Sequence, residues 1–282
     1  MTDYCTLDDV KVELKADSAV GDAQVRRFIQ QVSRCIDRTM QSRRPYFAPY
    51  TEQRKFAVSS MRVNSYENVF VLDDALLAIT TVLRADEDIT ANVELHTPYN
   101  GVARAIRITN NTTTWWECGN STDTPPIWVK VTGAWGWNEE YAAAYDHVDD
   151  LAANITASAT SIMVVDVNGT DLDGFTPRIS AGNLILIGTE LMDVTATDIT
   201  ANTAAVRRGV NGTTAAAHVT GDDVNVYRVD ERIRRIATRQ AALLYARRGS
   251  FQVETLDGVG VVTYPQDLLM ELRRTLQDFM YD

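Results

Sequence analysis

The thirteen residues VRRGVNGTTAAAH, Val206 to His218, decide how the chain is read. Paired arginines, two glycines, hydroxyls and one of three histidines suggest a phosphate-gripping loop with a catalytic base. A phosphate loop, however, needs its glycines between a strand and a helix N-terminus, with a lysine to close it. This stretch has no lysine, and strand-forming runs lie on both sides, at Ala204–Arg208 and Val224–Val229. Val210-Asn211-Gly212 is a turn signal, since Asn and Gly tolerate positive φ. His218 has no Ser, Cys or acid at a recognisable catalytic spacing. The stretch therefore reads as hairpin architecture.

Its surroundings share that texture. Residues 148–229 contain no Lys, Trp or Cys, and carry ten acids against four arginines, most of the net charge of −11. Short apolar runs recur at Leu151–Ile155, Ser161–Val165, Asn183–Ile187 and Leu191–Thr195, with glycine-bearing turns between several of them. This pattern predicts an all-β module.

The flanks read differently. Thr6, with Asp9 three residues on, caps a helix running to about Lys15. A longer helix starts near Asp22, where Val25, Phe28, Ile29, Val32, Ile36 and Met40 follow i, i+3, i+4, i+7 spacing. Pro45 ends it, because the residue before proline is pushed out of the helical region. From Thr51 to Gly136 strands are predicted near Lys55–Val58, Val69–Leu72, Leu76–Arg84, Val93–Leu95, Ala105–Ile108 and Ile127–Gly133. Helical spacing returns at Ile233, Ile236, Gln240, Leu243 and Leu244, and again at Leu268, Leu269, Leu272, Leu276 and Phe279. The expected fold class is α+β: a helical core with a β-hairpin/sheet region, interrupted by a small all-β inserted domain. The expected boundaries are 1–147 plus 230–282 for the host and 148–229 for the insertion.

Composition narrows the function. No run approaches the ~18–20 apolar residues of a membrane span, and MTDYCTLDDV has neither the basic nor the apolar region of a secretion signal. Cys5, Cys35 and Cys118 are far apart and form no zinc spacing. A charge of −11 opposes coating of nucleic acid but suits a surface that lets DNA pass. His96 and His147 have no His or Cys at i+2 to i+4. Asp73-Asp74, Asp149-Asp150 and Asp222-Asp223 lack the calcium-loop pattern and read as solvated turns. Trp115, Trp116, Trp128, Trp135 and Trp137 read as core or interface aromatics in preference to a sugar platform. Residues 231–248 hold six arginines against one acid, a basic helix that faces either acidic neighbours or DNA. A helix-turn-helix reading of the first two helices is disfavoured by the long loop between them. No catalytic, cofactor-binding or metal residues are expected, and no enzyme.

Four features in order resemble the head–tail adaptor, or connector, proteins of long-tailed bacteriophages. They are TLDDVKVELKAD followed by VRRFIQQVSRCIDRTM; RRPYF leading to VFVLDDALLAITTVLRAD; PPIWVKVTGAWGW; and RIRRIATRQAALLYARRGS with a short C-terminal helix beginning at Tyr-Pro. They cover most of Met1–Tyr145 and Asp230–Asp282. The region SAGNLILIGTELMDV…VRRGVNGTTAAAH is also similar to a small β module of phage tail and adaptor proteins, one that most adaptors lack at this place. The resemblance implies a structural virion protein at the head–tail junction, assembled in the host cytoplasm. It would form a homo-oligomeric ring, a dodecamer, beneath the portal protein and above the next head-completion or tail-terminator protein. Genomic DNA would pass through its lumen without sequence specificity. The resemblance also implies portal contacts at Arg273, Arg274, Leu276, Phe279, Met280 and Tyr281, and an outward-projecting insertion. Arg232, Arg234, Arg235 and Arg239 are candidates for a subunit-facing or DNA-facing surface. The alternatives are a tail or baseplate component and, further off, a DNA-binding regulator built on the N-terminal helices.

Overall fold

Alternating apolar residues, more than helical stripes, set the architecture. The computed structural model describes residues 2–15, 21–40, 42, 44–58, 62–64, 68–97, 102–109, 128–171, 174, 176–248, 274, 276–277 and 279. In chain order the elements begin with helices α1 (Leu7–Leu14) and α2 (Asp22–Thr39). Strands β1 (Tyr50–Ala57), β2 (Val63–Asn64), β3 (Val69–Val71), β4 (Leu76–Arg84), β5 (Glu87–Asp88), β6 (Val93–His96), β7 (Ala105–Ile108) and β8 (Trp128–Trp135) follow. Next come β9 (Tyr145–Asp150), β10 (Ser161–Met163), β11 (Leu184–Ile187), β12 (Glu190–Asp198), β13 (Thr203–Arg207) and β14 (Asp223–Tyr227), and then helix α3 (Glu231–Ala246).

The chain divides into two compact units. The first comprises residues 1–44, 145–210 and 214–282; the second comprises 45–144 with 211–213. This division is not the expected one of host and insertion: the helices group with the 145–210 β region, and residues 45–144 form a unit of their own with 211–213.

In the second unit two four-stranded antiparallel sheets form, in the orders β1-β8-β4-β5 and β2-β3-β7-β6. Strand β8 alternates buried and half-buried residues along its length, as a strand with one core face must. Its inward Val129, Val131 and Trp135 meet Phe56, Phe70, Leu76, Val82 and Ile106 in one apolar cluster. Trp135 and Trp137 are fully buried, and the Trp135 indole donates to the Glu52 carbonyl at 3.1 Å. Arg54 lies 4.2 Å from the Trp135 ring centre. These two indoles are core residues; Trp115 and Trp116 fall outside the described residues. Asn211 of the opening stretch belongs to this unit, its side-chain amide donating to the Pro49 carbonyl at 3.0 Å.

The first unit holds a six-stranded antiparallel sheet, order β10-β13-β12-β11-β14-β9, and the three helices. Leu151, Ile185, Ile187, Met192, Val194 and Val224 lead its core. Helix α1 starts at a reciprocal capping box: the Asp9 amide donates to Thr6 Oγ1 at 3.1 Å, and the Thr6 amide donates to Asp9 Oδ2 at 2.8 Å. Helix α2 buries Val25, Ile29, Val32 and Ile36, the stripe its spacing predicts. Phe28 meets Tyr245 of α3 edge to face at 6.4 Å. The Leu7 amide donates to the Ala181 carbonyl at 3.0 Å, which ties α1 to the β region.

The expected helical core is therefore corrected. The described chain is mostly β, with three antiparallel sheets of four, four and six strands and three helices. The physical reason is that helices of 8, 18 and 16 residues each bury a single stripe. Two extensive apolar clusters among the described residues are built from strands and the loops between them. Two local readings also change. The polar stretch containing His147, outside the strands the sequence predicts, is edge strand β9, whose charges keep an exposed edge from pairing elsewhere. Leu151 and Ile155, expected within one strand, instead make two isolated bridges, to Val164 and His218.

Gly133 marks a close approach within the second unit. A Cβ there would lie 2.2 Å from the Ala78 carbonyl oxygen, beside the two bulges in the β4–β8 pairing. Gly133→Ala should thus lower stability by about 1–3 kcal/mol through overpacking. Chemical denaturation reads this directly; an unchanged midpoint would contradict the packing described.

Candidate functional site

The residues that looked like chemistry converge on one buried carboxylate. Glu190, 1% exposed, opens β12 immediately after the Gly188-Thr189 turn. Arg208 grips it with two parallel bonds, Nε to Oε1 and Nη2 to Oε2, both 2.7 Å. The Gly209 amide donates to Oε1 and the Ala216 amide to Oε2, each at 2.9 Å. The His218 Nε2 lies 3.0 Å from Oε2. An ionised carboxylate only accepts, so the imidazole carries its proton on Nε2.

Burial, the largest single influence, pushes the Glu190 carboxyl up. The bonds from Arg208, Ala216, His218 and Gly209 together outweigh it and hold the group at about 2. Arg208 is just as fully used: Nη1 donates to the Thr156 carbonyl at 2.8 Å, and Nη2 also donates to the Ala216 carbonyl. The His218 backbone exchanges two bonds with Ile155, at 2.9 and 3.0 Å. Every strong donor of this site points at Glu190 or at a backbone carbonyl. The arrangement is a clamp across four chain segments.

Glu190→Gln removes the charge that pairs the buried guanidinium. Breaking a buried pair from one side costs about 3–5 kcal/mol, and that loss is expected at neutral pH in denaturant titrations. Because the folded-state pKa lies below the ordinary 4.5, the wild-type contribution is complete above about pH 5 and disappears as pH falls toward 2. The variant should lack that acid limb; retaining it would contradict the assignment.

A second polar cluster joins the N-terminus to the sheet. Asp3 is buried, with Oδ2 4.0 Å from Arg26 Nη2, and its Oδ1 has no hydrogen-bond partner among the described residues. Arg26 also donates to the Thr195 carbonyl, and Arg207 pairs with the nearby buried Asp193. Burial raises the Asp3 carboxyl to about 7, opposed by Arg26 and reinforced by Asp193. Here the folded-state value is raised, so the folded chain holds its proton longer than the unfolded one. Stability should fall as pH rises from about 4 to about 7. Asp3→Asn should flatten that slope and stabilise the protein at pH 8 by roughly 1–3 kcal/mol, the cost of a buried unsatisfied group. Thermal unfolding across pH tests this, and an unaltered slope would contradict it.

The expected basic surface is only partly a surface. Arg234 donates to Asp9 Oδ1 at 2.7 Å and Oδ2 at 3.3 Å, joining α3 to the capping box of α1. The Asp9 bond, more than any other influence, raises the guanidinium above its ordinary range. Arg232 bonds Asp230 and lies 4.5 Å from the Phe279 ring centre. Arg232, Arg235 and Arg239 are exposed and stand at i, i+3 and i+7 along α3. Of the expected portal contacts, Leu276 and Phe279 are buried within their own unit and Arg274 is exposed. Arg273, Met280 and Tyr281 lie outside the described residues.

Sequence reasoning missed Glu190 as the partner of His218, because 28 residues separate them. The available signal was an acid set inside the apolar run LILIGTELM. In comparisons with known proteins, no family model and no curated protein matched the chain.

Proposed function

We propose that the protein is a structural virion component, a head–tail adaptor that assembles as a ring below the portal and extends the DNA channel. The observation that carries this reading is the row Arg232, Arg235 and Arg239 on the exposed side of α3, on a chain of net charge −11. A basic row on an acidic protein favours contact with another copy of itself, basic side to acidic side. A head-to-tail contact of that kind closes into a ring when the rotation permits. The acidic remainder repels a duplex threading the lumen and keeps it from sticking. The buried clamp at Glu190 supports the reading too, since the conspicuous polar residues of the β region are occupied in holding the fold.

The test is binding to purified portal-bearing heads, imaged by negative-stain electron microscopy. A new ring of density beneath the portal is expected. Arg235→Glu combined with Arg239→Glu should reduce ring occupancy at least about tenfold, as reversed rim charges cost several kcal/mol when they meet like charge. Density on tails in place of heads would overturn the adaptor reading in favour of a tail component. Salt-dependent retention of duplex DNA by the free protein would favour the regulator.

A further inference from the structure

The pairing of β9 with β14 brings together three side chains that the sequence keeps apart. Asp223 stands directly opposite Asp150, and Asn225 opposite His147. Regular alternation would put His147 and Asp150, three residues apart, on opposite faces of the sheet. The register shift between Val224 and Asn225 leaves one residue of β9 unpaired, with Val148 turned into the core. That bulge returns His147 and Asp150 to the same face, and re-aiming side chains is what bulges do. The His147 Nε2 lies 3.1 Å from Asp150 Oδ1 and 3.7 Å from Asp223 Oδ1. One ligand atom from each residue falls within 4.8 Å of the other two. The neighbouring Asp149 is not available to them. It is buried, accepts from the Asp166 amide at 2.7 Å and lies 3.8 Å from Arg178.

We propose that His147, Asp150 and Asp223 bind a divalent transition-metal ion of zinc's class on the outer face of this strand pair. Two carboxylates directly opposite each other on adjacent strands repel, and a cation between them removes the repulsion. An ion at about 2.0–2.2 Å from each ligand atom needs neighbouring ligands roughly 3–3.5 Å apart; the imidazole is 3.1 Å from one carboxylate and 3.7 Å from the other, so only a small side-chain adjustment is required. One imidazole with two carboxylates suits zinc or its neighbours. Calcium takes 6–8 oxygen ligands and magnesium keeps most of its water, so neither matches this donor set. All three residues are at least about half exposed, so water completes the coordination and the ion is exchangeable. The site stands on the fold alone and does not depend on the adaptor reading.

The test is calorimetric titration of zinc chloride into the full chain, repeated with magnesium and calcium. One saturable equivalent of zinc is expected, with no competition from a tenfold excess of either alkaline-earth ion. His147→Ala should weaken binding at least about tenfold, since loss of even an outer-shell partner costs that much. Asp223→Asn replaces an exposed side chain at constant volume and reads the same loss should the histidine variant fail to fold. Zinc should also raise the midpoint of thermal unfolding in the wild type and not in either variant. Absence of saturable zinc binding would overturn the proposal. So would affinity unchanged in His147→Ala and Asp223→Asn, which would assign any bound zinc to other residues.

Discussion

A single buried carboxylate organises the six-stranded unit. Glu190 opens β12, Arg208 and Gly209 follow β13, and Ala216 and His218 lie on the approach to β14, yet all five meet within hydrogen-bond distance. Arg208 extends the same network to the Thr156 carbonyl before β10. Each connection between these strands carries an irregular backbone whose polar groups need partners once buried. The carboxylate and guanidinium supply them. A charged cluster of this kind costs several kcal/mol to desolvate, and it holds the chain in one arrangement because both carboxylate oxygens and all three guanidinium nitrogens are bonded.

That constraint also explains what the sequence disclosed and what it withheld. Val206–His218 was legible as architecture from its turn residues and flanking strands, which act over a few positions, but not as a hairpin: β13 pairs with β10 and β12, and β14 with β11 and β9. Helix α1 with its Thr6–Asp9 cap, and the buried stripe of α2, were legible for the same reason: their signals lie within one or two turns of helix. Strands β4 and β7 fall at Leu76–Arg84 and Ala105–Ile108, where apolar texture and turn clusters bounded them. Glu190 was not legible as the partner of His218, because side chains 28 residues apart meet only through strand order. Strand β9 was hidden for another reason. YDHVDD has one aliphatic residue and pairs along one edge alone, so its charges resembled a linker. The balance of helix and sheet was misjudged because the helical stripes at both ends suggested a core of their own. In the fold the helices do bury apolar residues, among them Val10, Ile29, Ile36, Ile233 and Ala241, but 14 strands supply most of the described elements.

The division of the arginines bears on the proposed role. Arg208, Arg234 and Arg26 serve contacts inside the first unit, and Arg235 and Arg239 are exposed on α3. A protein whose rigid parts use their own buried ions can present a surface charge pattern with little rearrangement. Little rearrangement on association reduces the ordering cost that opposes it. A ring of identical copies would repeat that pattern at each junction, so a modest contact becomes a stable assembly.

The central claim is that Glu190 and Arg208 act as one unit in holding the β region together. A double-mutant cycle measures this most directly, using denaturant unfolding of Glu190→Leu, Arg208→Met and the two combined. The account predicts that each single change is strongly destabilising, and that the double variant is no worse than the more harmful single, because removing both charges leaves no ion unpaired. Additive losses would show the two side chains to be independent, and would contradict the account.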